Sequence, residues 1–538
     1  MEYIDLVIIF GYFVTVMFVG LYYAQNKDEA VEDYFLAGRN LGWIAIGVSL
    51  FATNISSEHF IGLAGMGSTR GFAVGLFEWL AIFALMLLGW VFSPIFIKSK
   101  VFTTPEFFGK RFNRGTQMYL SGISIFSYIL TKVTVSLFAG GLLLHAILGW
   151  DMYTSAVIML VLTGIYTIIG GYRSVVYTSV VQAVFLILGA LVLTGFGLSE
   201  VGGFSGMEKE LSADYFSLFK PLSDPNFPWI GIVFGAPILA VWYWCTDQYI
   251  VQRILSAKDV NAARRGTLLA GFLKILPMFI LVLPGLIAAV LYPGITGDEA
   301  YPKLLAGNLL PTGIKGLVVA GVLAALMSSL AACFISTSTL FTMDFYRHFQ
   351  PTASEKKLML IARLATTAMV VIGILCIPVV KILSSQIYIS LQGIQAYISP
   401  PIAAVFLLGT FWKRINEKGA IWALGIGGIT GISRLTMEWF DNTWFFNSIG
   451  MQWFYQINFL HFAILLFGLS IMVMTLVSIL TTTQYPGKIK DYIVSSTNLS
   501  ILGSEETPSF SLRQNNRLNI ILSGTLLFVL IGIWKIFF

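Results

Sequence analysis

The chain has 538 residues, of which 57% are hydrophobic and 11% charged, with a mean hydropathy of +0.81. Soluble domains carry about 25% charged residues, so a water-soluble globular fold is excluded and an all-α multi-span membrane protein is expected. The formal charge of +6 points to no nucleic-acid partner, because the basic residues gather in short segments that flank apolar stretches. Cys245, Cys333 and Cys376 all fall inside apolar segments, which leaves neither a disulfide framework nor a metal motif.

The first apolar stretch, residues 4–24, has no basic leader and no small-residue cleavage pattern, and reads as a retained span. Windows of about 20 apolar residues then recur along the chain, giving about fourteen spans in all. They lie near 4–24, 43–66, 72–97, 117–147, 152–170, 174–199, 229–251, 266–292, 314–346, 358–383, 388–411, 419–436, 456–481 and 517–537. Basic residues alternate between the intervening loops. One set of loops is rich (Lys98 to Arg114, Arg173, Arg253 to Arg265, Arg347 to Lys357, Lys413 to Lys418, Lys488 to Arg517) and the other sparse (Arg70, Lys209, Lys220, Lys303, Lys315, Lys381, Arg434). Positive-inside placement puts the rich set in the cytoplasm and both termini outside a plasma (inner) membrane. The polar segment 482–516 reads as a cytoplasmic loop, so its Asn498-Leu-Ser500 sequon is discounted.

Inside the spans stand Glu58, Glu78, Lys132, Asp247 and Lys274. A charge near the bilayer centre costs roughly 2.5–3.5 kcal/mol on insertion scales and survives only against protein or a water-filled cavity. Lys132 is close enough to a span end to snorkel, whereas Glu58 and Glu78 are not. Lys274 and Asp247 are candidates to pair with each other or with another membrane charge. The second span carries Thr53, Asn54, Ser56, Ser57, Glu58 and His59 in its middle, and the seventh carries Trp242-Tyr243-Trp244-Cys245-Thr246-Asp247-Gln248. Interrupted helices in corresponding positions of two halves mark the substrate and ion sites of secondary transporters. The halves are then spans two to six, residues 43–199, and spans seven to eleven, residues 229–411, with residues 4–24, 419–481 and 517–537 peripheral.

Aromatic faces beside Glu, Gln, Asn and His side chains suit a sugar. The C–H faces of the ring stack on aromatics, and hydroxyls pair with carboxylates and amides that would otherwise stay unpaired. A second constellation is Ala324-Ala325-Leu326-Met327-Ser328-Ser329. Its two hydroxyls either back-bond to carbonyls one turn earlier or, with carbonyls freed beside Ala52 and Ile55, offer the hard neutral oxygens that sodium takes. A phosphate-cradling G-x-x-x-x-G-K-[ST] run is absent from the sequence, which argues against ATP drive. His145, His348 and His461 stand apart, and no nucleophile–base–orienter set is visible, which argues against an enzyme.

Taken together, these motifs resemble the solute:sodium symporter family and, within it, the sodium/glucose cotransporter branch. The resemblance rests on Glu32-Asp-Tyr-Phe-Leu-Ala-Gly-Arg39, Ser49–Gly65, Phe77-Glu78-Trp79, Trp242–Gln248 with Val251-Gln252-Arg253, Leu326–Ser329, Phe341-Thr-Met-Asp344, and Pro400-Pro401 through Phe411–Arg414. It implies a LeuT-type five-plus-five inverted repeat with extra peripheral helices, working by alternating access, with sodium as the coupling ion and no organic cofactor. It further implies that Asn54, His59, Glu78, Lys274, Tyr243 and Gln392 contact sugar. Tyr243 would be the inner gate with Trp244 beneath it, and Leu63, Phe77 and Tyr388 the outer gate. Sodium would be held by carbonyls of Ala52, Ile55 and Ala325 and by the hydroxyls of Ser328 and Ser329. Tyr388 stands where the family more often has Phe. Two-sodium relatives place a hydroxyl residue and an Asp where this chain has Ala331 and Ser179, so one sodium per sugar is expected. The open alternatives are a symporter of inositol, another polyol or a non-sugar solute, and a sodium-gated sugar sensor.

Overall fold

A computed structural model describes residues 1–24, 30–56, 58–295, 297–377, 387–439, 452–482, 489–494 and 510–537. Almost all of them are helical, and the only β pairings among them are two isolated bridges, Leu41 with Ala257 and Lys220 with Pro228. In lipid each backbone N–H and C=O must be satisfied inside the protein, and a helix does this within its own segment.

Among the described residues, eleven helices are long and apolar enough to cross a membrane, three fewer than the fourteen spans read from the sequence. The difference falls in three places. The Met152–Glu200 helix runs for 49 residues, and at about 1.5 Å per residue it is far longer than a bilayer is thick. It bends at Gly171, whose φ of 55° and ψ of −154° are non-helical. A side chain there would meet the Tyr34 ring at 2.8 Å, so the bend needs glycine on steric as well as conformational grounds. The other two places are the polar-centred segments, each divided into short helices: Trp43–Asn54 before Glu58–Leu63 and Ala64–Arg70, and Ala236–Cys245 before Gln248–Leu255.

Other boundaries shift modestly. The last helix, Phe510–Phe537, takes in residues that the sequence assigns to the 482–516 loop. The sequon Asn498-Leu-Ser500, Ser57, Lys381 and the end of the 358–383 span lie outside the described residues.

The Ile314–Leu340 helix is the axis of the molecule. Its most hydrophobic stretch is buried along its whole length, packed against Met152–Glu200, Tyr3–Ala24 and Trp43–Asn54. By contrast, Tyr3–Ala24, Glu355–Cys376, Phe459–Leu480 and the last helix bury less than a third of their apolar windows, as lipid-facing helices do.

Small residues let helices close up where packing rather than the hydrophobic effect holds them together. A methyl group on Gly285 would fall 2.0 Å from the Ala64 carbonyl oxygen, whereas one on Gly425 would meet nothing within 4 Å. Gly285→Ala is expected to destabilise the protein by about 1–3 kcal/mol through overpacking. Gly425→Ala is expected to be neutral or slightly stabilising, by up to about 1 kcal/mol. Thermal unfolding of the two variants in detergent, read side by side, checks this contrast.

Candidate functional site

The two interruptions create the site. The helix entering from Trp43 ends at Asn54, and Ile55 turns to φ −74°, ψ 106°. The chain re-enters helical structure through a wide turn at Glu58–Leu63. On the other segment Thr246 leaves the helix, and Asp247 adopts φ −71°, ψ 124° to cap Gln248–Leu255, accepting from the Tyr249 amide. A third helix stops just before Lys274. Each break frees carbonyls or amides in the membrane interior, and the polar side chains gather around them.

Between the breaks lies a partly open cavity. Asn54, His59, Glu78, Tyr243, Trp244, Lys274 and Gln392, every residue expected to touch substrate, line it. The Lys274 ammonium donates to both Glu78 and Asn54. Glu78 also accepts from the Tyr388 hydroxyl at 2.9 Å and lies 3.5 Å from His59 Nε2. Asn54 Nδ2 donates to the Tyr243 hydroxyl at 3.3 Å. The Tyr243 and Trp244 rings meet edge to face at 5.2 Å.

Of the expected outer gate, Phe77 lines the cavity and meets the Tyr388 ring edge to face at 6.2 Å. Leu63 and Tyr388 are buried but stand outside the lining. Tyr388 instead reaches the site through its hydroxyl, a bond that phenylalanine at this position lacks.

Ala52, Ile55, Ala325, Ser328 and Ser329 are all fully or nearly fully buried. Ser329 Oγ donates to the Thr53 carbonyl at 3.2 Å, which joins the Ile314–Leu340 helix to the broken end of Trp43–Asn54. Ser328 Oγ donates to Ser179 Oγ at 2.9 Å. The arrangement presents neutral hydroxyl and carbonyl oxygens, a donor set suited to sodium.

One expectation for the membrane charges is corrected, and for Lys274 the second of its two alternatives, pairing with another membrane charge, is the one observed. Lys132 does not snorkel: it is 5% exposed and its ammonium pairs with Glu58 at 3.2 Å, because a carboxylate on a neighbouring segment offers what the distant interface would. Lys274 and Asp247 do not pair with each other. Lys274 is taken by Glu78, and Asp247 accepts from the Tyr128 hydroxyl and caps its own helix. Sequence reasoning also missed several members of the region. Glu58 and Gln395 line the cavity. Tyr249 donates to the Thr53 carbonyl at 2.9 Å, and Arg253 donates to Thr53 Oγ1 at 2.6 Å. Glu58 was visible as an intramembrane charge, and Tyr249 and Arg253 as the continuation of the second polar run.

A pair of broken helices enclosing a cavity lined by aromatic, amide and paired charged groups, beside a cluster of neutral oxygens, defines a LeuT-type secondary transporter. The profile of the sodium:solute symporter family matches residues 34–427. The chain belongs to that family and is a transporter rather than an enzyme. It is 40% identical to sodium/glucose cotransporter 4 of Danio rerio over 89% of this chain and 79% of the relative. Identity to sodium/glucose cotransporter 1 of Oryctolagus cuniculus is 41% over the same shares. Sodium/myo-inositol cotransporter 2 of that animal is 38% identical over 89% of this chain and 77% of its own. Among solved structures, a sodium-coupled sialic acid symporter superposes with a TM-score of 0.76 at 23% identity, over 90% of this chain and 99% of that one. The nucleobase-cation symporter Mhp1 gives 0.56 at 16% identity, over 87% and 99%. Both share the fold.

Breaking a buried ion pair leaves an uncompensated charge and costs about 3–5 kcal/mol, whereas removing both partners costs far less. Lys274→Met is therefore expected to lower thermal stability strongly, and Glu78→Gln with Lys274→Met to recover most of it. Unfolding midpoints of the single and double variants in detergent test the coupling.

Proposed function

We propose that the protein imports a neutral sugar of the glucose or galactose type together with one sodium ion by alternating access. The observation that carries the reading is the cavity's charge balance. Glu58 with Lys132 and Glu78 with Lys274 form two internally neutralised pairs, so an ionised substrate gains nothing there, while hydroxyl groups find acceptors and donors on several sides. The Tyr243 and Trp244 rings supply apolar faces for the C–H surface of a pyranose.

Sodium at the oxygens of Ser328, Ser329, Ala52, Ile55 and Ala325 orders the end of the Trp43–Asn54 helix and with it Asn54, a wall of the sugar cavity. Ordering raises sugar affinity, and by reciprocity sugar raises sodium affinity. Leu63, Phe77 and Tyr388 close the outer side. Residues 43–199 and 229–411, the two repeats, then rock relative to one another, and Tyr243 moves aside to release sugar inward. A membrane potential contributes about 2.3 kcal/mol per charge per 100 mV. The single-sodium stoichiometry rests on Ala331, which has no hydroxyl, and Ser179, which has no carboxylate. Orientation follows the loop charges, with both termini outside.

Likeness to a sodium/myo-inositol cotransporter keeps inositol as the second reading, since the same paired groups suit a cyclic polyol. Uptake of radiolabelled glucose, galactose and myo-inositol into proteoliposomes separates the two. Glucose or galactose is expected to accumulate with sodium outside and not with potassium. In Ser329→Ala, sodium affinity is expected to fall about tenfold, the equivalent of one lost contact of about 1.4 kcal/mol. Accumulation of inositol alone selects the second reading. Sugar-evoked current without accumulation selects a sensor.

A further inference from the structure

Glu58 enters the reading above only as half of a neutralised ion pair and is assigned no contact with sugar or ion, yet it lies on the cavity wall and is 4% exposed. Its neighbour His59 shows where it sits. Glu58 Oε1 lies 3.6 Å from His59 Nδ1, and Glu78 Oε2 lies 3.5 Å from His59 Nε2. The two nitrogens of an imidazole face different ways, so the carboxylates flank the ring on separate sides. The Ser56 amide donates to Nδ1 at 3.4 Å, which leaves Nε2 as the N–H of the neutral ring, directed at Glu78. Glu58 is therefore not the histidine's acceptor. Its Oε1 is held by Lys132 at 3.2 Å.

Lys132 itself touches three things. Besides Glu58, its ammonium lies 5.0 Å from the centre of the Tyr243 ring and 5.3 Å from that of Tyr249. Tyr243 forms one wall of the cavity, and Tyr249 donates to the Thr53 carbonyl that Ser329 also reaches. A desolvated ammonium over an aromatic face is held by about 2 kcal/mol. One cation thus contacts a cavity carboxylate, a ring of the cavity wall and a tyrosine bonded to the region proposed to hold the ion.

We infer that Glu58 is a second hydroxyl-binding carboxylate of the substrate cavity, and that Lys132 is the positioning residue that holds Glu58 and the Tyr243 ring in one arrangement. The inference rests on the polyol reading above and adds to it. The substrate presents hydroxyls on two separate edges, one to Glu78 and one to Glu58, and binding at Glu58 is felt at the gate through Lys132.

The test uses proteoliposomes and a set of glucose analogues that each lack one hydroxyl, compared as inhibitors of sodium-driven uptake. In the wild type, a missing hydroxyl that meets a buried acceptor costs about tenfold in affinity. In Glu58→Gln, one analogue is expected to lose that penalty relative to glucose while the others keep theirs. A purely structural role for Glu58 weakens all of them alike. Sodium-evoked charge movement without sugar shows whether the variant is folded. If Glu58→Gln fails to reach the membrane, Glu58→Asp, which keeps the charge and shortens its reach, carries the same comparison. For Lys132, the double variant Glu58→Gln/Lys132→Met avoids an unpaired buried charge. Its sodium-free efflux of preloaded sugar is expected to exceed that of Glu58→Gln alone by about threefold. Equal losses across the analogues overturn the role of Glu58, and unchanged efflux overturns that of Lys132. A wild type that carries none of the polyols overturns the sugar reading and the inference with it, a result distinct from either.

Discussion

The site depends on a backbone interrupted in the middle of a membrane. A continuous helix satisfies its own peptide groups and needs no partners in lipid, but it offers a ligand only side chains. Stopping the Trp43–Asn54 helix at Asn54 and the Ala236–Cys245 helix at Thr246 exposes main-chain atoms that must be paired inside the protein. The chain pays for this with polar residues from elsewhere. Ser329 and Tyr249 reach the Thr53 carbonyl, Arg253 reaches the Thr53 hydroxyl, and the Asp247 carboxylate caps the helix that restarts after it. The same groups bring together the oxygens proposed to hold the ion.

The two breaks are not independent. Tyr249 belongs to the helix that follows the second break, yet it hydrogen-bonds to the end of the helix before the first. Asn54, at that end, bonds Tyr243 on the far side of the second break. Buried charges reinforce the tie, because Lys274 joins Asn54 to Glu78 while Lys132 joins Glu58 to the Tyr243 and Tyr249 rings. Coupling between an ion and a neutral solute needs an element that both can bias. Thr53 and Asn54 are bonded to the two regions proposed to take the ion and the solute.

Much of this was legible in the sequence because intramembrane polarity is expensive and therefore informative. Asn54, Glu58, Glu78, Asp247 and Lys274 were each conspicuous against 57% hydrophobic residues, and the family resemblance named residues that the structure brings together around one cavity. Pairing was not legible. Nothing in the spacing of Lys274 selects Glu78 over Asp247, since that choice is made by helices far apart in the chain. Lys132 looked free to snorkel because its depth was judged from its own span, without the carboxylate that meets it from another. The division of long apolar stretches was only partly visible. Gly171 is one glycine among 51, and its bend is dictated by Tyr34 closing against it from a distant segment.

The fully enclosed Ile314–Leu340 helix has a consequence for how the sequence can change. A helix in contact with lipid is chosen for hydrophobicity, and many apolar side chains of different shape serve equally. This helix meets protein on every side, so its residues answer to volume and to hydrogen-bond partners instead. That is why a stretch as rich in Ala, Ser and Thr as 324–339 is stable at the centre of the molecule, where bulkier and more hydrophobic residues would find no room. Drift along it is limited by fit, and drift on the outer helices by solubility in the bilayer.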